Sequence, residues 1–127
     1  MRYLIDTHTL LWYFDDSPAL PDAITETIEN ANTRKYMSVA SLWEFTIKHS
    51  LGKLAFEGGI DAFWNMAVAN KLNILQVNGS HLSVLEKLPL LHRDPFDRLI
   101  VATAIAEAMT VLTADQNIRR YDVMWAW

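Results

Sequence analysis

The sequence predicts an α/β fold: a central, mainly parallel sheet of four to five short strands covered by crossover helices. Three observations carry that expectation. Short runs rich in β-branched and aromatic residues alternate with longer segments of helical period, the pattern of strands joined through helices. Two helix starts are strongly marked, at Pro21 and at Asp94-Pro95. With 51% hydrophobic and 20% charged residues, the chain has the composition to fill a core and reads as one domain over residues 1–127.

Strands are expected at Tyr3–Asp6, Tyr36–Val39, Asn73–Val77, Val111–Thr113 and, weakly, Val123–Trp125. Helices are expected at Thr7–Phe14, Pro21–Asn32, Ser41–Ser50, Ile60–Lys71, Ser80–Leu88, Pro95–Met109 and briefly Gln116–Tyr121. Ser17-Pro18 marks a turn before the second helix, Pro21 suits a first helical position, and Ile24 and Ile28 recur one turn apart. Before the long helix, Asp94 offers an N-cap, Pro95 an N1 proline and Asp97 an acid at N3. Leu99, Ala102, Ala106 and Met109 then follow at spacings of three and four, giving a face to lay on the sheet. Gly52 and Gly58-Gly59 punctuate the middle, and no repeat or low-complexity tract is visible. Trp12, Trp43 and Trp64 read as core residues, whereas Trp125 and Trp127 are hard to bury in a monomer and point to interfaces.

Several function classes fall away. There is no cysteine, which excludes disulfides, thiolate metal sites and a cysteine nucleophile, and suits a reducing compartment such as the cytoplasm. The start Met1-Arg2-Tyr3-Leu4-Ile5-Asp6 meets an acid too early for a signal peptide. The longest apolar stretch, Leu99 to Val111, is interrupted by Thr103, Glu107 and Thr110, so no membrane span is expected. The glycines match neither phosphate-loop pattern. A formal charge of -4 argues against a polyanionic partner, but the total misleads if four of the 15 acids surround metal, because the remaining 11 balance the 11 Lys and Arg residues. Basic clusters remain at Lys48-His49 with Lys53, His92-Arg93 with Arg98, and Arg119-Arg120.

In parallel α/β sheets, functional groups collect at the carboxyl ends of strands. Asp6 closes the first strand, Glu44 follows the second by a turn, Asp97 starts the long helix, and Asp115 follows the fourth strand by two residues. Each also has a plain structural use: Asp6 and Asp115 as helix caps, Glu44 in a capping box with Ser41 or paired with Lys48, and Asp97 favouring its helix dipole. The surroundings weigh against that use, since Asp6 lies between apolar runs and Glu44 between Trp43 and Phe45. Carboxylates at the edge of a core repel one another and lose hydration unless a counter-charge joins them. Hard oxygen ligands favour one or two Mg²⁺ or Mn²⁺ ions, and such a site points to phosphodiester hydrolysis by metal-activated water. Of the histidines His8, His49, His81 and His92, none lies at a metal-binding spacing; most read as surface or supporting residues, and His8, two positions after Asp6, is the one candidate among them to touch substrate.

At these residues the chain resembles the PIN-domain ribonucleases, and among them the VapC-type toxins of toxin-antitoxin systems. The likeness is carried by LIDTHTLLW at Leu4–Trp12, SVASLWEFTIK at Ser38–Lys48, HRDPFDRLIVATA at His92–Ala104 and LTADQNIRRY at Leu112–Tyr121. The resemblance implies a three-layer α/β/α sandwich and an acidic pocket of Asp6, Glu44, Asp97 and Asp115 that holds Mg²⁺ or Mn²⁺ and cuts RNA endonucleolytically. It also implies a homodimer and an antitoxin protein that wraps the chain and obstructs the pocket. Asp94 is ambiguous, preferred as a cap with Asp97 as ligand. Thr113 matches a hydroxyl position of the family motif, and Thr7 and Ser41 are weaker candidates for supporting the site. Arg93, Arg98 and Arg119 are candidates to position phosphates.

Three rivals are weighed against that reading. A phosphatase of the haloacid dehalogenase type needs a second acid two residues after Asp6, where His8 stands. A phosphorylated receiver domain needs its aspartate at the end of a middle strand, and Asn73–Val77 runs into Asn78-Gly79. A catalytically inactive PIN-like binding scaffold, its acids kept as caps, remains the non-enzymatic alternative.

Overall fold

The computed structural model describes residues 1–127. In chain order the elements are β1 (Arg2–Ile5), α1 (Thr7–Phe14), α2 (Asp22–Glu29), β2 (Arg34–Ser38), α3 (Val39–Ser50), α4 (Gly59–Ala69), β3 (Asn73–Leu75), α5 (Gly79–Lys87), α6 (Pro95–Glu107), β4 (Thr110–Leu112), α7 (Gln116–Arg119) and β5 (Trp125–Ala126). The five strands form one sheet, ordered β3-β2-β1-β4-β5, and every pairing is parallel. The chain builds outward from β1 in one direction through β2 and β3, then returns to its other side with β4 and β5. The reversal falls between β1 and β4, where parallel sheets open a crevice at their carboxyl ends.

Side chains alternate across the sheet as strand geometry requires. Ile5, Met37 and Leu112 face one core, which α1 to α4 supply with Leu10, Ile24, Phe45 and Phe63 among others. Leu4 and Val111 face the other, filled from α6 and α7 by Ile100, Val101, Ala104 and Ile118. The result is the expected three-layer α/β arrangement. Phe45 and Phe63 stack with ring centroids 4.3 Å apart, joining α3 to α4. At the start of α4, Gly58 has φ 85°, and a Cβ there would stand 2.6 Å from that of Ala62, so glycine is required.

Several sequence expectations change here, among them the place of Pro21, which stands at the N-cap of α2 instead of opening it. Helix α3 begins at Val39 with Ser38 as N-cap, two residues before the expected Ser41, so no capping box of Ser41 and Glu44 forms. Trp43 and Trp64 are not core residues. Trp43 is 60% exposed, because α3 buries Leu42, Glu44 and Phe45 and turns Trp43, Thr46 and Ser50 outward. Trp64 is exposed on α4. Trp12 and Trp127 are half-buried against each other, 5.6 Å between ring centroids, while Trp125 stays exposed. No helix is long and apolar enough to cross a membrane.

Candidate functional site

Five carboxylates meet at the carboxyl ends of the central strands. Asp6 ends β1, Glu44 lies in the second turn of α3, Asp94 and Asp97 stand at the start of α6, and Asp115 follows β4. Asp6, Glu44 and Asp97 are buried, and Asp94 and Asp115 are half-buried. Glu44, Asp94 and Asp97 each bring one oxygen within 4.8 Å of the others. Asp6 and Asp115 lie outside that tightest group but close enough to act on it electrostatically.

Mutual repulsion shows in their proton affinities. Burial, followed by the charges of Asp94, Asp115, Asp6 and Glu44, pushes the Asp97 carboxyl up to about 8. Burial raises Asp6 to about 6, against a lowering hydrogen bond from Thr113 and the nearby charge of His8. The cation closest to hand is Lys48, which donates to Glu44 Oε2 at 2.9 Å. Burial alone would lower the Lys48 ammonium, but that bond and the charges of Glu44, Asp94 and Asp97 outweigh it and hold it above its ordinary value.

The hydrogen bonds separate capping acids from the rest. Asp94 Oδ1 caps α6 through the amides of Phe96 and Asp97, and Asp115 Oδ1 caps α7 through Asn117. Asp6 precedes α1 but makes no capping bond; its Oδ2 accepts from Thr113 Oγ1 at 2.9 Å. Asp97 Oδ2 is held by His92 Nε2 at 3.1 Å. Glu44 Oε1 accepts from Thr7 Oγ1 at 3.0 Å. Thr113 also receives the Asp115 amide at 3.0 Å, so one hydroxyl links the ends of β1 and β4. Each aspartate is thus pinned by one oxygen, while Asp6 Oδ1, Asp94 Oδ2, Asp97 Oδ1 and Asp115 Oδ2 have no hydrogen-bond partner and are not sealed from solvent.

That donor set fits a hard divalent cation. Oxygens across an Mg²⁺ octahedron stand about 4.2 Å apart, so the three closest carboxylates need little rearrangement to share an ion. The Ser41 hydroxyl, fully buried one turn before Glu44, has no hydrogen-bond partner. Beside the acids, a cavity of about 200 Å³ is lined by Asp6, His8, Thr9, Trp12, Ala114 and Asp115.

The basic candidates divide. Arg98 donates to the Pro89 carbonyl and the Tyr121 hydroxyl, and Arg119 donates to the Thr113 carbonyl while lying 4.2 Å over the Trp125 ring. Both therefore brace loops around the site, and Arg93 is exposed. His92, read from the sequence as part of a basic cluster and among the surface or supporting histidines, touches Asp97. Its immediate precedence to Arg93-Asp94 was the available signal, but the contact needs the loop to fold back on α6.

A family model described as PIN domain matches residues 3–124. No curated protein matches the sequence. Among solved structures, the chain resembles VapBC2 from Rickettsia felis bound to a DNA fragment from its promoter, at 18% identity and a TM-score of 0.77, covering 99% of this chain and 98% of that one. It also resembles VapBC-1 from nontypeable Haemophilus influenzae, at 22% identity and a TM-score of 0.72, covering 99% and 97%. DNA-bound VapBC from Salmonella typhimurium matches at 13% identity with a TM-score of 0.67, covering 99% and 97%. Likeness at these identities speaks for the fold.

Proposed function

The chain belongs to the PIN-domain family, and on that premise we propose that it is a metal-dependent endoribonuclease, the toxin of a toxin-antitoxin pair. The observation that carries the reading is the set of half-satisfied aspartates. Asp6 and Asp97 spend no oxygen on helix capping, and all four aspartates keep one oxygen free of hydrogen bonds. Acids kept merely as caps need neither this crowding nor the upward shifts of Asp6 and Asp97. That weighs against an inactive scaffold.

In this reading Asp6, Glu44, Asp97 and Asp115 hold Mg²⁺ or Mn²⁺, with Asp94 adding its free oxygen while capping α6. A divalent ion, when bound, supplies Lewis acidity that lowers the pKa of water and offsets charge on the phosphodiester. The residues of the chain do the rest. Thr113 and His92 fix carboxylate orientations, Lys48 and Thr7 hold Glu44, and Asp6 and Asp115 face the cavity that would take a substrate group beside the scissile phosphate. His8 and Trp12 on its wall offer contacts to a nucleotide, and exposed Arg93 a phosphate contact.

The VapBC structures that share the fold pair a toxin with an antitoxin, and the same arrangement is proposed here, together with a homodimer and a cytoplasmic setting. Exposed apolar side chains support a covered surface: Trp43 packed edge-on against Phe96 at 5.1 Å, Leu90, Val68 and Met124. The test is cleavage of single-stranded RNA, with single-stranded DNA as control, in Mg²⁺ or Mn²⁺ and in chelator. Metal-dependent cutting that Asp6→Asn and Asp97→Asn abolish while remaining folded is the expected result. Equal activity in both variants and the parent rejects the assignment.

A further inference from the structure

The hydrogen bonds around Asp97 run in one direction, set by a group outside the acidic pocket. Arg98 is the source, because a guanidinium only donates. The two hydrogens on its Nη1 meet two acceptors, the Pro89 carbonyl and the Tyr121 hydroxyl oxygen, each at 2.9 Å. Tyr121 is 4% exposed, so its own hydroxyl hydrogen needs a protein acceptor, and His92 Nδ1 stands 2.8 Å away. With Nδ1 accepting, a neutral imidazole carries its hydrogen on Nε2, which lies 3.1 Å from Asp97 Oδ2. The reverse order would strand the Tyr121 hydrogen in a buried site, at a cost of about 1–3 kcal/mol. His92 is also the sole hydrogen-bonding partner of the Asp97 carboxylate.

We propose that His92 is a positioning residue: Tyr121 and Arg98 hold it as the Nε2-protonated neutral tautomer, which anchors Asp97 Oδ2 and leaves Oδ1 for a divalent ion. The proposal rests on the reading of Asp97 as an ion ligand. It gives His92, in the loop after α5, and Tyr121, two residues beyond α7, a role in ion affinity, although neither is itself a ligand. Partners of this kind around ligating side chains change affinity by about 10–100-fold when removed.

The experiment uses the full chain. Nitrogen-15 NMR of the histidine ring at pH 8 in Mg²⁺ reads the tautomer, and calorimetry with Mn²⁺ alone reads affinity. The expected parent spectrum has a pyrrole-type Nε2 and a pyridine-type Nδ1 at His92. Tyr121→Phe keeps the ring and removes only the hydroxyl; it is expected to mix the tautomers and weaken Mn²⁺ binding about tenfold. His92→Ala should weaken binding further, and His92→Gln, whose amide can still donate, should recover part of the loss. Circular dichroism checks that each variant is folded. A parent His92 protonated on Nδ1, or Mn²⁺ affinity unchanged in both Tyr121→Phe and His92→Ala while Asp97→Asn loses it, overturns the relay alone. Unchanged affinity in Asp97→Asn as well overturns the ion-ligand reading beneath it.

Discussion

The two ends of the sheet treat charge in opposite ways. At the amino end, Glu107 closes α6 between two partners, Arg2 at 3.3 Å and fully buried His81 at 2.9 Å. His81 completes the network by accepting the Asn78 amide at the start of α5, so that α5, α6 and β1 are tied together. At the carboxyl end, five carboxylates gather, with Lys48 and His92 as their direct basic partners and His8 nearby. The first arrangement pairs its charges as it stands, with only the buried Arg2 Nε left unpartnered. The second leaves its acids in excess, and in the proposed reading an added cation satisfies them.

The comparison breaks first at the crowded end. Asp97→Asn is expected to reduce metal-dependent RNA cleavage about a thousandfold, since several kcal/mol of transition-state stabilisation go with the ion. At pH 9, where Asp97 is ionised, the same variant should melt about 3–5 °C above the parent in chelator, because a repelled charge is gone. Equal melting points for the two proteins in chelator would mean that the acids are not in conflict.

Proton linkage sharpens the contrast. Asp6 and Asp97 bind protons more tightly in the folded chain, at about 6 and about 8, than near 3.8 in the unfolded one. The folded state therefore holds more protons across that range, and their contribution to stability, complete below pH 4, is lost as pH rises through 6 and then 8. In chelator, the urea midpoint should fall from pH 5 to pH 8. Saturating Mg²⁺ should flatten or reverse the trend, because the ion binds the ionised forms. A metal-free midpoint that climbs over this interval contradicts the assignment.

Glu107→Ala tests the balanced end. Leaving His81 buried without its partner should cost about 1–3 kcal/mol of stability, read from the denaturation midpoint, with cleavage within twofold of the parent. The smallest effect is expected beside the acids: Trp12→Leu should raise KM for RNA about fivefold at unchanged kcat if its ring meets a base, a contact of about 1 kcal/mol. A change in kcat alone would place Trp12 in scaffolding.

Much of this was legible in the sequence, for identifiable reasons. Parallel strands announce themselves as short apolar runs, and the Asp94-Pro95 start of α6 is a local signal that local chemistry fulfils. The four acids could be found because their loops all leave the sheet at one end. Strand order could not be read, since parallel pairing is decided by helices packing across the whole chain. Trp43 misled because hydrophobicity was read along the chain, whereas a helix turns each residue about 100° from the last and leaves Trp43 opposite Phe45's core. His92 and His81 were underread for a related reason. Their partners, Tyr121 and Glu107, lie 29 and 26 residues away, and no spacing rule joins them.

The place of β1 has a consequence for the making of the protein. It is the middle strand, yet it is synthesised first, and its second neighbour β4 and the Thr113 hydroxyl arrive 107 residues after Asp6. A nascent chain still short of that point carries its acids on unjoined pieces. The acidic pocket is therefore complete only once β4 has paired with β1 and Asp115 has followed it.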